Sequence, residues 1–169
     1  MIVDRSTIRF NRVSEAGSTL LAEAIARSIE SLDIGAIYLS GSLGAGKTTI
    51  ARGILRSLGV EGRIKSPSFA IAELYELPDL QVHHIDLYRL QDPLAWRSAG
   101  LREAYGPGRL VLLEWPEHGH GLPGADLMVS IDWFNEEAEG PRQVMLSAAR
   151  PEILSAIDTA IGDALERSP

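Results

Sequence analysis

Gly41-Ser42-Leu43-Gly44-Ala45-Gly46-Lys47-Thr48 has the spacing G-x-x-x-x-G-K-[ST], and its reading decides the fold. The glycines let the backbone curl so that successive N–H groups converge on phosphate oxygens. A helix beginning near Lys47 adds the positive end of its dipole to the same point. Lys47 supplies an ammonium for β- and γ-phosphates, and the Thr48 hydroxyl is of the type that ligates Mg2+. The context agrees with a phosphate loop. The apolar run Ala36-Ile37-Tyr38-Leu39 precedes it as a strand, and a helix follows from Lys47 to Leu58, stopped by Gly59. Lysine is otherwise scarce: of 16 basic residues only Lys47 and Lys65 are lysines. One of them stands where a compact ammonium serves better than a planar guanidinium.

Outward from the loop, strands and helices alternate. Ser6–Val13 partly alternates and reads as a strand; Ser18 can cap a helix from Thr19 to about Ser31. Ser68–Leu77 and Gln81–Arg89 read as two strands punctuated by Pro78-Asp79, and 94–105 as helix. Arg109–Glu114 (RLVLLE) is a continuous apolar run, the mark of a strand buried on both faces. Met128–Asp132 and Gln143–Ser147 flank the acidic loop Asn135–Gly140 as a hairpin, and Pro151–Leu165 closes as a helix with proline at its first position. This order predicts a three-layer α/β phosphate-loop NTPase fold, with a mainly parallel central sheet and a C-terminal hairpin and helix.

Two acids are placed to serve a phosphate site. Glu114 ends an apolar strand, where a charge is costly to bury unless it is paired or faces a cation. Asp86, in His83-His84-Ile85-Asp86-Leu87-Tyr88, could orient water or magnesium. His83 and His84 point to opposite faces of a strand, so they read as packing residues and not as joint ligands. No N-K-x-D guanine reader is present, since Asn11 precedes Arg12 and Asn135 precedes Glu136, so ATP is favoured by elimination.

Composition bounds the rest. The 169 residues (1–169) make one domain's worth of chain, with 45% hydrophobic and 23% charged side chains, which excludes a disordered or fibrous protein. The absence of cysteine excludes disulfides, thiolate metal sites and a thiol nucleophile. No stretch approaches the ~18 apolar residues of a membrane span. Met1-Ile2-Val3-Asp4-Arg5 lacks a signal-peptide layout, so the expectation is a cytoplasmic protein without a membrane role. Net charge is −7. Residues 1–90 balance at 10 basic and 10 acidic side chains, while 91–169 carry 6 basic and 13 acidic. Such a chain is poorly suited to gripping a nucleic acid directly.

Four stretches in order, GSLGAGKTT (41–49), KSPSF (65–69), HIDLYRL (84–90) and LLEWPEHG (112–119), resemble the TsaE family, bacterial ATPases needed to make threonylcarbamoyladenosine in tRNA. Thr19-Leu20 matches more weakly. The resemblance implies ATP and Mg2+ as ligands, bound along Ser42, Leu43, Gly44, Ala45, Gly46, Lys47, Thr48 and Thr49, with Thr19 and Trp115 also in the site. It makes Thr48 and Glu114 the magnesium-associated residues and Asp86 an acid important for hydrolysis. Ser68 stands where the family usually has threonine in a switch-like segment, and Ser42 replaces the family's usual aspartate. The family acts with TsaB and TsaD, TsaD transferring the threonylcarbamoyl group to adenosine-37, so tRNA would be reached only through partners. Two other readings share the loop: a small-molecule kinase with Arg97 and Arg102 in a lid, and an ATP-sensing module without turnover.

Overall fold

The computed structural model describes residues 6–65, 67, 70–134 and 140–166. Among them seven strands form one sheet: β1 (Ser6–Val13), β2 (Ala36–Ser40), β3 (Ala72–Glu76), β4 (Gln81–Asp86), β5 (Arg109–Glu114), β6 (Leu127–Trp133) and β7 (Arg142–Ala148), in the order β1-β7-β6-β2-β5-β4-β3. The central four, β6-β2-β5-β4, run parallel. The β3–β4 hairpin and the β6–β7–β1 group add antiparallel pairings at either side, so the whole sheet is mixed around a parallel centre. Strands β2 and β5 are paired on both edges and apolar nearly throughout, as buried parallel strands must be.

One face is covered by α1 (Glu15–Leu32), α2 (Lys47–Ser57) and α4 (Pro151–Glu166), and its core holds Ile25, Ile37, Leu39, Ile54, Leu55 and Leu112. The other face carries a smaller cluster of Tyr38, Ile85, Leu87, Trp96, Val111 and Leu113 beneath short segments. The first helix starts earlier than the sequence indicates. Ser14, not Ser18, is its cap and accepts from Gly17 N at 3.1 Å, while the Ser18 hydroxyl donates to Ser14 O inside the helix. Glu15 in the first turn favours that early start through the helix dipole. The expected 94–105 helix is broken: α3 (Ala95–Ser98) and a 3-10 turn at Leu101–Ala104 are separated by Gly100, whose φ of 72° ends the first piece. Strands β3 and β4 are also shorter than expected, ending at Glu76 and Asp86.

Parallel register brings the functional segments to one sheet edge. Leu39 on β2 and Asp86 on β4 both stand beside Glu114 on β5, so the loop after β2 faces two acids from neighbouring strands. That edge, outside the carboxyl ends of parallel strands, is where open α/β sheets bind ligands.

Candidate functional site

The loop from Gly41 to Gly46 wraps the start of α2. Gly41 has φ 127° and passes so near β6 that a Cβ there would lie 1.8 Å from Ile131 O; only glycine fits. Gly46, at φ 115°, turns the chain into the helix. Asp132 at the end of β6 braces the loop, its Oδ1 accepting from Ser42 N at 3.0 Å and from Ser42 Oγ at 2.7 Å. Arg142 on β7 donates from Nε to Ala45 O at 3.2 Å and lies 5.1 Å from the Trp133 ring centroid.

Within the loop Lys47 is only 4% exposed. Its Nζ donates to Gly41 O at 2.7 Å and Ser42 O at 2.8 Å, and sits 3.6 Å from the Trp115 ring centroid, a cation–π contact. Burial pushes the Lys47 pKa down from 10.5, opposed by the charges of Glu114, Glu117, Asp86 and Asp132. Trp115 holds its position through an uncommon backbone, φ 61°, and an N–H bond to Leu39 O at 3.0 Å. Its indole both lines the cavity and packs on the smaller core cluster. Tyr88 and His118 lie against it, at 4.8 and 5.5 Å between ring centroids.

The two acids take different surroundings. Glu114 is 1% exposed, and its Oε2 accepts from Thr48 Oγ1 at 2.7 Å while Oε1 meets His84 Nε2 at 2.8 Å. Asp86 is buried and its Oδ1 accepts from Tyr88 N at 2.9 Å, fixing the turn after β4. A cavity of about 220 Å3 is lined by Leu43, Gly44, Gly46, Lys47, Thr48 and Thr49 of the loop and by Asp86, Tyr88, Glu114 and Trp115. That volume is below the ~300–1,000 Å3 of a pocket enclosing a drug-sized ligand.

Thr48 and Glu114 present two hard oxygens in contact, a donor set suited to a magnesium ion that takes its other ligands from phosphate and water. Among the described residues there is no cluster of three or more His, Cys, Asp or Glu able to hold a metal alone.

The structure thus brings Leu43, Gly44, Gly46, Lys47, Thr48, Thr49, Asp86, Glu114 and Trp115 around one cavity, with Ala45 buried beneath the loop and Ser42 bonded outward to Asp132. Thr19 is not among the cavity-lining residues: it lies inside α1, exposed, with its hydroxyl on Glu15 O at 3.3 Å. Ser68 lies outside the described residues, as do 135–139 of the acidic loop. His84 is buried, as expected of a packing residue, and is in addition bonded to Glu114. Sequence reasoning also missed Asp132 and Arg142, whose only local signal was their place at the ends of hairpin strands.

A phosphate loop at the carboxyl edge of a parallel sheet centre, faced by an acid on the adjacent strand, defines the P-loop NTPase class of fold. The family model described as "Threonylcarbamoyl adenosine biosynthesis protein TsaE" matches residues 13–144, and the chain belongs to the TsaE family. A Haemophilus influenzae protein named tRNA threonylcarbamoyladenosine biosynthesis protein TsaE is 43% identical over 101 residues, 59% of this chain and 64% of its own length. A Rickettsia bellii protein of the same name is 37% identical over 73% of this chain and 85% of its own length. The crystal structure of Bacillus subtilis YdiB superposes with a TM-score of 0.67 at 24% identity, covering 95% of this chain and 96% of that one, a likeness of fold.

Proposed function

We propose that this chain, acting as one P-loop ATPase unit over 1–169, binds and hydrolyses Mg-ATP to support threonylcarbamoylation of adenosine-37 in tRNA, with TsaB and TsaD as partners in the cytoplasm. The observation that carries the reading is the contact of Thr48 Oγ1 with Glu114 Oε2 at 2.7 Å, one side of a cavity whose floor is the phosphate loop and Lys47. Family membership supplies the pathway. Among the described residues no helix is long and apolar enough to cross a membrane.

Each residue then has a task set by its chemistry. Loop N–H groups and Lys47 hold the β- and γ-phosphates, which requires the ammonium to leave Gly41 O and Ser42 O for phosphate oxygens. Thr48 and Glu114 would hold the magnesium ion, which neutralises charge building on the phosphates. Asp86, beside Glu114 in register, would accept a hydrogen bond from the attacking water. Trp115 keeps Lys47 oriented and excludes water beneath it.

No arginine lines the cavity among the described residues. Arg97 and Arg102 lie 5.6 and 6.0 Å from the Trp96 ring centroid, and nothing there favours a kinase lid. An arginine supplied in trans is worth about 10^3–10^5 in rate in other P-loop enzymes, so slow hydrolysis alone and faster hydrolysis with partners is the expected behaviour. Phosphate release from Mg-ATP with and without purified TsaB–TsaD tests the proposal. Stimulated release supports it; nucleotide affinity with no release under either condition would leave a sensing module instead.

A further inference from the structure

His84 is 0% exposed, yet only one of its ring nitrogens is used. Nε2 meets Glu114 Oε1 at 2.8 Å, and Nδ1 is buried with no hydrogen-bond partner. A residue needed only for packing would be cheaper as an aliphatic side chain, because a buried polar atom without a partner costs free energy. The imidazole therefore needs a reason at this position, and its one partner supplies it. Glu114 is itself 1% exposed at the cavity edge, and its second oxygen is the one on Thr48.

The strands place this relay. On β4, His84 and Asp86 are two residues apart and share a face of the sheet. On β5, His84 is in register with Leu112 and Asp86 with Glu114, so the Glu114 side chain reaches back along the strand to the imidazole. The chain Nε2–Oε1, then Oε2–Oγ1 of Thr48, runs from the sheet interior to the first turn of α2. A carboxylate anchored at one oxygen keeps one rotamer and presents the other oxygen to the cavity. Partners behind metal-facing side chains act in this way, and losing them typically costs about 10–100-fold in metal affinity.

We infer that His84 is a positioning residue: it fixes the Glu114 carboxylate by donating from Nε2 to Oε1, so that Oε2 and Thr48 Oγ1 form a preset half-site for the magnesium ion of the bound nucleotide. The inference rests on the proposed reading of Glu114 as the cation-facing acid. It assigns His84 no contact with nucleotide and no proton transfer.

Mn2+ binding to the full chain, followed by electron paramagnetic resonance with a β,γ-imido ATP analogue present, tests it. The variants are His84→Leu, His84→Gln, His84→Asn and Glu114→Gln, each also measured for analogue affinity without metal and for thermal midpoint. Glutamine places an amide N–H near the Nε2 position, while asparagine is one methylene short. His84→Leu is expected to weaken Mn2+ affinity about tenfold or more with metal-free analogue affinity unchanged, and His84→Gln to recover most of the loss. A folded His84→Leu protein with wild-type Mn2+ affinity would overturn the inference, whatever its thermal midpoint. So would equal losses in the glutamine and leucine variants. If the leucine variant does not fold, the asparagine–glutamine pair decides, and equal affinities there overturn the inference. Wild-type Mn2+ affinity in Glu114→Gln would instead remove the magnesium reading of the site, and the role of His84 with it.

Discussion

The two faces of the sheet are built by different means. Under α1, α2 and α4 the contacts are aliphatic and close: Ile25, Ile37, Ile54 and Leu55 are fully buried, and a Cβ added to Gly53 would lie 2.6 Å from Ala22 Cβ. The opposite face has no long helix among the described residues, and its cover is tied down by side-chain hydrogen bonds. Tyr38 and Tyr105 share their hydroxyls at 2.7 Å, Tyr38 also donates to Pro123 O at 2.8 Å, and Trp96 Nε1 donates to His120 O at 2.9 Å. The aromatic face supplies Trp115, which borders the cavity beside the exposed Tyr88.

The division can be tested from its largest expected effect downward. Lys47→Ala removes a group that points into the loop and not into either core, so turnover should fall by at least about a hundredfold with the fold intact. Phosphate release together with circular dichroism checks this, and normal turnover would refute the site. Ile54→Ala cuts the aliphatic face and should cost about 2–5 kcal/mol in a urea titration. Trp96→Phe removes one tie on the aromatic face, leaves His120 O unpaired and should cost about 1–3 kcal/mol in the same titration. Equal losses would erase the distinction between the faces.

Smaller effects bear on the loop itself. Ser42→Asp would set a second carboxylate beside Asp132 Oδ1, and on this exposed rim the repulsion should cost on the order of 1 kcal/mol of stability in the urea titration. Adding Asp132→Asn should restore the stability in the same titration; no recovery would show that the two positions are uncoupled. The smallest effect is a fraction of a proton. Burial lowers the Lys47 pKa from 10.5, so the free chain binds less proton than the unfolded chain in the interval just below that value. Stability of the free protein therefore rises with pH through that interval. Bound polyphosphate favours the ammonium, so ATP binding there should take up protons. Binding enthalpies in buffers of different ionisation heat measure the sign, and net release would contradict it.

The motif G-x-x-x-x-G-K-[ST], the apolar strands Ala36-Ile37-Tyr38-Leu39 and Arg109–Glu114, and the terminal acid were legible in the sequence because each is a local pattern with a local cause. Curling at glycine, burial of both strand faces and the cost of a buried charge act within a few residues. Helix starts were less legible. Ser14 and Ser18 are both possible caps, and only the bond to Gly17 N selects the first, which puts Thr19 inside the helix. What tertiary structure alone decided is pairing across distance. That Asp132 braces Ser42, that Arg142 reaches Ala45 O and that His84 turns to Glu114 all depend on the strand order β6-β2-β5-β4 and its register. A side-chain hydrogen bond spanning 30 or 90 residues leaves no periodicity in the chain, so its physical cause exists only once the sheet is assembled.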